Sequence, residues 1–129
     1  MNALKFHTLP NEFAVCQLPA GEEVPQWAQA GEGSFVSVTR CEDEISIVIE
    51  SGSVPENVNC ERGWRCLRLA GPFDFDQIGI IAGFTAVLAK EEIGVFVIST
   101  FNTDYVLVKS SEFQRAQEIL SENGYEFLR

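Results

Sequence analysis

The sequence predicts an α+β fold in which one unit is used twice, and three observations predict it. Strand-like runs recur at a fixed displacement, the C-terminal half interleaves strand patterns with two helical ones, and 46% apolar content in 129 residues supplies a core. A displacement of 61 residues lays Phe35 on Phe96, Val36 on Val97, Thr39 on Thr100, Asp43 on Asp104, Ile45 on Val106 and Ile47 on Val108. The same displacement lays Gly63-Trp64-Arg65-Cys66-Leu67-Arg68 on Gly124-Tyr125-Glu126-Phe127-Leu128-Arg129. Two separate blocks at one offset predict a duplicated unit, divided as residues 1–62 and 63–129.

In the second copy, Trp64 to Ala70 reads as a strand that Gly71-Pro72 ends. Asp74 or Asp76 then caps a helix running to about Glu92. That helix carries no charge from Gln77 to Ala89, more apolar surface than one sheet face buries, so a partner repeat or a second chain is expected to cover the rest. Val95 to Thr100 and Tyr105 to Lys109 are strands around the polar insert Ser99 to Asp104, with Asp104 opening the second. Ser111 starts a helix with Glu112 in its first turn. Phe113, Ala116, Ile119 and Leu120 form its stripe, and Asn123-Gly124 stops it. Tyr125 to Leu128 is a last short strand. The order βαββαβ is the ferredoxin-like split arrangement.

The first copy keeps the hairpin, Ser34 to Arg40 and Glu44 to Glu50, and loses the helices. Pro19 and Pro25 leave room for only a turn or two around Val24 to Ala28, and Gly52 and Pro55 interrupt the second connection. The first unit is therefore degenerate.

Charge and cysteine usage narrow the function. Nineteen acidic against nine basic residues give a net charge of −10, which repels phosphate backbones and anionic lipid heads, so neither nucleic acid nor membrane is an expected partner. The opening MNALKFHTLP lacks the basic patch and apolar run of a signal peptide, and a cytoplasmic protein is expected. Cys16, Cys41, Cys60 and Cys66 contain no CxxC pair, and His7 is the one histidine, so no metal and no cofactor is expected. In a reducing compartment these cysteines read as small core residues. His7 reads as a strand residue on a polar face within Leu4 to Leu9.

With these elements in place, Gly71-Pro72-Phe73-Asp74-Phe75, Gly79-Ile80 and Val97 to Val108 resemble the ACT domains of the small stand-alone type, similar to those of aspartate kinases and of cytosolic arginine sensors. The resemblance covers Trp64 to Arg129 well and Phe35 to Glu50 loosely. It implies a regulatory, non-catalytic βαββαβ module that pairs side by side, here as a homodimer, and binds an amino acid at the pairing interface. Carried over residue by residue, it implies a site from Asp74, Gly79, Ile80, Thr100, Phe101, Asn102 and Asp104. That set suits a zwitterion: free amides at a helix start attract a carboxylate, and Asp74 or Asp104 accepts an ammonium group. Taken singly, each residue also has a simpler role, as a helix cap for Asp74 and Asp76 or as a turn former for Asn102 to Asp104. Two other functions stay open: a protein-interaction module without a metabolite, and, ranked last, an enzyme using Asp74 or Asp104 as a base.

Overall fold

The computed structural model describes residues 5–29, 35–70 and 79–128. Among these, the strands are β1 (Lys5–Thr8), β2 (Phe13–Pro19), β3 (Ser37–Arg40), β4 (Glu44–Glu50), β5 (Cys60–Leu69), β6 (Phe96–Ser99), β7 (Asp104–Lys109) and β8 (Glu126–Leu128). The helices are α1 (Ile80–Lys90) and α2 (Ser110–Glu122). The α+β, ferredoxin-like expectation holds, with the first unit degenerate. The chain forms two compact units, Pro10–Trp64 and Met1–Leu9 with Arg65–Arg129.

In the unit Pro10–Trp64 the strand order is β3-β4-β2-β5, with β2 paired along its whole length to β4, from Phe13 opposite Glu50 to Pro19 opposite Glu44. Alternation puts Ala14 and Cys16 with Ile45, Ile47 and Ile49 in one core cluster. Where a ferredoxin-like unit has helices, this one has 3-10 turns, Gln26–Ala28 and Ser51–Ser53. Ala28 and Val54, in and just after those turns, close over the core. The Arg62 guanidinium donates to the carbonyls of Ser51 (3.0 Å), Val54 (3.1 Å) and Pro55 (3.2 Å), which satisfies acceptors that a full helix would have used.

The other unit is the intact one. Its strand order is β6-β7-β5-β1-β8, with α1 and α2 packed on one face. Phe6, Leu67, Leu69, Val106 and Val108 meet Phe84 and Leu88 of α1 and Ala116 and Leu120 of α2 in its core, each 0% exposed. The insertion of β1, antiparallel to β5 and parallel to β8, departs from the sequence reading, which placed residues 1–62 together. The reason is aromatic packing: Phe6 lies 4.7 Å from Phe84, 5.7 Å from Tyr125 and 5.8 Å from Phe127, ring centroid to centroid. Alternation around Phe6 reveals a strand but not its neighbours.

The hairpins of the two units correspond, but at a different displacement. Cys41 N–H donates to Glu44 O (3.0 Å) in one turn and Thr100 N–H to Thr103 O (2.8 Å) in the other. Ser37 faces Val48, and Phe96 faces Leu107. Residue 37 thus matches 96, 41 matches 100 and 48 matches 107, a displacement of 59 in place of 61. Phe35 and Phe96 are therefore not equivalent, and Asp104 corresponds to Ile45, not Asp43. A slip of two residues leaves every side chain on its own face, so matching apolar patterns does not detect it.

Helix α1 begins at Ile80, and its N-cap is Gly79 at φ 82°, a left-handed conformation that suits glycine. The predicted caps Asp74 and Asp76 lie outside the described residues. The α2 helix stops as expected at Asn123, followed by Gly124 at φ 91°. No helix among the described residues is long and apolar enough to cross a membrane.

Candidate functional site

The intact unit has a second face, turned away from its helices. Because successive side chains on a strand alternate, the residues between the core positions share that face: His7 of β1, Arg68 of β5 and Tyr105 of β7, on three adjacent strands. His7 and Arg68 are direct cross-strand partners. Together with Leu69, Ala70 and the β6–β7 turn residues Thr100, Asn102 and Thr103, they line a cavity of about 310 Å³.

The turn forming one wall is held from within and from below. Thr100 Oγ1 donates to Thr103 O (3.1 Å), and Thr103 Oγ1 donates to Leu69 O (2.8 Å), which fastens the turn to the end of β5. At its base Ser99 Oγ donates to the Asp104 carboxylate. These bonds consume the threonine hydroxyls and leave the Asn102 amide directed to no partner among the described residues.

Of the residues singled out from sequence, Thr100 and Asn102 line the cavity. Phe101 stands at the tip of the turn with 80% of its surface exposed. Asp104 opens β7 below the cavity, Gly79 and Ile80 sit at the start of α1 away from its lining, and Asp74 lies outside the described residues. Sequence reasoning missed Arg68 and Tyr105 and treated His7 as merely a polar strand residue. The signal was present in Leu67-Arg68-Leu69, a charge between two side chains that are both 0% exposed, which fixes where the charge must point.

The electrostatics of Arg68 differ from those of the other described arginines. Arg62 is spent on carbonyls, Arg40 reaches Glu22 O at 3.4 Å, and Arg65 lies 4.6 Å over the Phe113 ring. Arg115 pairs with Glu112 at 3.3 Å and with Glu91 at 3.9 Å. Arg68 is half-buried and makes no hydrogen bond or ion pair among the described residues, and the same holds for His7 hydrogen bonds. The thiols are elsewhere: burial pushes Cys66 up to about 12 and, with neighbouring Cys60 adding to the effect, Cys16 up to about 11, so both stay protonated and unreactive at neutral pH. Among the described residues no group of three or more His, Cys, Asp or Glu side chains is placed to hold a metal ion.

Residues 59–122, from the end of the degenerate unit through α2, match the family model of the ACT domain. Over 99% of its length the chain also follows a crystal structure from Agobacterium tumefaciens, at 36% identity, a TM-score of 0.91 and 94% coverage of that protein. The chain belongs to the ACT-domain family. A second family model, described as an N-terminal domain, matches residues 11–57 of this ACT-domain protein. The protein is 40% identical over 122 residues to the cytosolic arginine sensor for mTORC1 subunit 1 of Rattus norvegicus, which takes in 88% of this chain and 34% of the sensor. The chain thus spans about a third of the length of the curated relatives it matches. The ligand-free regulatory subunit of aspartate kinase from Thermus thermophilus superimposes with a TM-score of 0.61 over 91% of this chain and 95% of that one. Its 8% identity makes this a likeness of fold.

Proposed function

We propose that this ACT-domain protein is a non-catalytic regulatory protein of the cytoplasm that binds a small amino acid and acts as a homodimer. The observation that carries the reading is the cavity in which the β6–β7 turn meets Arg68 and His7, since it joins a rigid polar turn to a cation with no ion pair among the described residues, at the size of a small-molecule pocket. Thr100 and Asn102 form the wall, and Asp104 with Phe101 completes the hairpin side. Gly79 and Ile80 at the start of α1 supply further contacts at the interface of two ACT units, and Asp74, which precedes them in the sequence, remains a proposed ligand outside the described residues. The sensing role follows the relatives, one named an arginine sensor and one a regulatory subunit.

A thermal-shift screen of the common amino acids followed by calorimetry tests this. Saturable binding of at least one, weakened by Asn102→Ala, is the expected result. A flat screen at millimolar concentrations overturns it.

One observation favours a second reading, a module that binds a protein partner: Phe101 is 80% exposed, and Val97 on the same hairpin is 36% exposed. Phe101→Ser distinguishes the two, because loss of amino-acid binding assigns the hairpin to the ligand and unchanged binding leaves it to a partner.

A further inference from the structure

We infer that the cavity takes its ligand by a carboxylate held on Arg68, and that it therefore selects amino acids with uncharged or acidic side chains over basic ones. The inference rests on the amino-acid-binding reading and adds to it the polarity of the ligand and the residue that sets it.

The argument begins with rigidity. Leu67 and Leu69, on either side of Arg68, are both 0% exposed in the helix-side core, so the backbone that carries the guanidinium is fixed. Bonds from Leu9 N–H to Cys66 O (2.9 Å) and from Ala70 N–H to Lys5 O (2.8 Å) bracket the same segment. A guanidinium presents a planar fork of donors that a carboxylate meets with two parallel hydrogen bonds. Half-burial removes part of its water, so an acceptor is worth more there than on an open surface.

The chain carries 19 acidic side chains against nine basic ones. Yet it places none of those described against Arg68, while Arg115 receives two. The lining contributes further donors, His7 across the strand and the Asn102 amide from the turn, and no carboxylate among the described residues. Asp104 opens β7 outside this lining, so the donors that face the cavity around Arg68 attract an anionic head. A ligand that also brings a guanidinium or ammonium side chain sets that charge near Arg68, where like charges repel at short range even though the net charge of −10 attracts cations from a distance.

Calorimetry at fixed pH and salt decides this with wild type, Arg68→Ala and Arg68→Lys, each checked for folding by its melting curve. The probes are the twenty common amino acids, L-citrulline as the uncharged counterpart of L-arginine, and glutarate as a carboxylate without an amino group. The expected results are that an uncharged or acidic amino acid binds, that Arg68→Ala weakens it about tenfold or more and Arg68→Lys by less, and that L-citrulline binds more tightly than L-arginine. Glutarate binds in the same Arg68-dependent way. Unchanged affinity in Arg68→Ala overturns the inference while the amino-acid reading survives. L-arginine binding as tightly as L-citrulline overturns the selectivity. If glutarate binds through Arg68 and no amino acid does, the carboxylate site stands and the amino-acid reading falls; if nothing binds, both fall.

Discussion

Ser99 and Asp104 stand directly opposite each other where the β6–β7 hairpin closes, and the Ser99 hydroxyl donates to the Asp104 carboxylate. One oxygen of the carboxylate is thus committed to holding the turn that walls the cavity. The other accepts no hydrogen bond among the described residues, and we propose that it receives the ligand's α-ammonium group.

Asp104 and Asp43 should therefore respond differently to the same change. Asp43 lies within the turn of the first hairpin, whereas Asp104 is the first residue of its strand. Asp104→Asn weakens the contact with Ser99 and is expected to cost about 0.5–1.5 kcal/mol in chemical denaturation; Asp43→Asn is expected to stay within about 0.5 kcal/mol. If Asp104 also holds the ligand's ammonium group, Asp104→Asn weakens binding about tenfold and Asp43→Asn leaves it alone. Equal affinities for the two variants would leave Asp104 with the hairpin only.

Phe84→Ala should be among the most destabilising single changes in the chain. The ring is 0% exposed and lies 4.7 Å from Phe6 and 5.7 Å from Tyr125, so its removal opens a cavity where α1 meets β1. A loss of about 3–5 kcal/mol is expected from equilibrium unfolding. A loss under 1 kcal/mol would mean that the core refills and that the described packing is not what holds β1 in place.

Much of this was legible in the sequence because it rests on local signals. Alternation gave both hairpins, the Phe113-to-Leu120 stripe gave α2, and Pro19 and Pro25 ruled out a helix in the first unit. What escaped depends on pairing. The two-residue slip between hairpins conserves sidedness, so no pattern reports it, and the place of β1 between β5 and β8 depends on where Phe6 meets Phe84 and Tyr125. Thr100 and Asn102, which line the cavity, were singled out because turn residues advertise themselves. Arg68 was missed because a single charge in a strand has an obvious default role on a solvated face.

Stability should fall at alkaline pH through the buried thiols. Burial raises Cys16 to about 11 and Cys66 to about 12 from a usual value of 9.0, so below 9 both states hold their protons and nothing is lost. Above 9 the unfolded chain releases protons that the folded chain keeps, and stability declines until the folded thiols also ionise. Each thiol contributes a slope of up to about 1.4 kcal/mol per pH unit. Urea unfolding at pH 8 and 10.5 measures it, with Cys66→Ala showing a smaller drop between the two. A Cys66→Ala drop equal to that of the wild type would show that Cys66 plays no part.

The homodimer is the last expectation, and the structure changes how it must be tested. Asp at Phe84 or Ile81 would not report on a dimer, because Phe84 is 0% exposed within its own unit and Ile81 packs against the same core; such variants unfold the monomer. The uncharged helix instead leaves Ala82, Ala86 and Ala89 exposed, a face of small side chains at helical spacing. Small residues let a second helix or strand come close, and a charge introduced there blocks contact without touching the core. Ala86→Glu suits the purpose, since glutamate is nearly as favourable in a helix as alanine. Sedimentation equilibrium is expected to show a dimer for the wild-type chain and a monomer for Ala86→Glu, with the melting temperature of the variant measured at low concentration, where both are monomeric, unchanged. A wild-type chain that remains monomeric at every concentration excludes the homodimer, and a dimer that survives Ala86→Glu moves the interface away from α1.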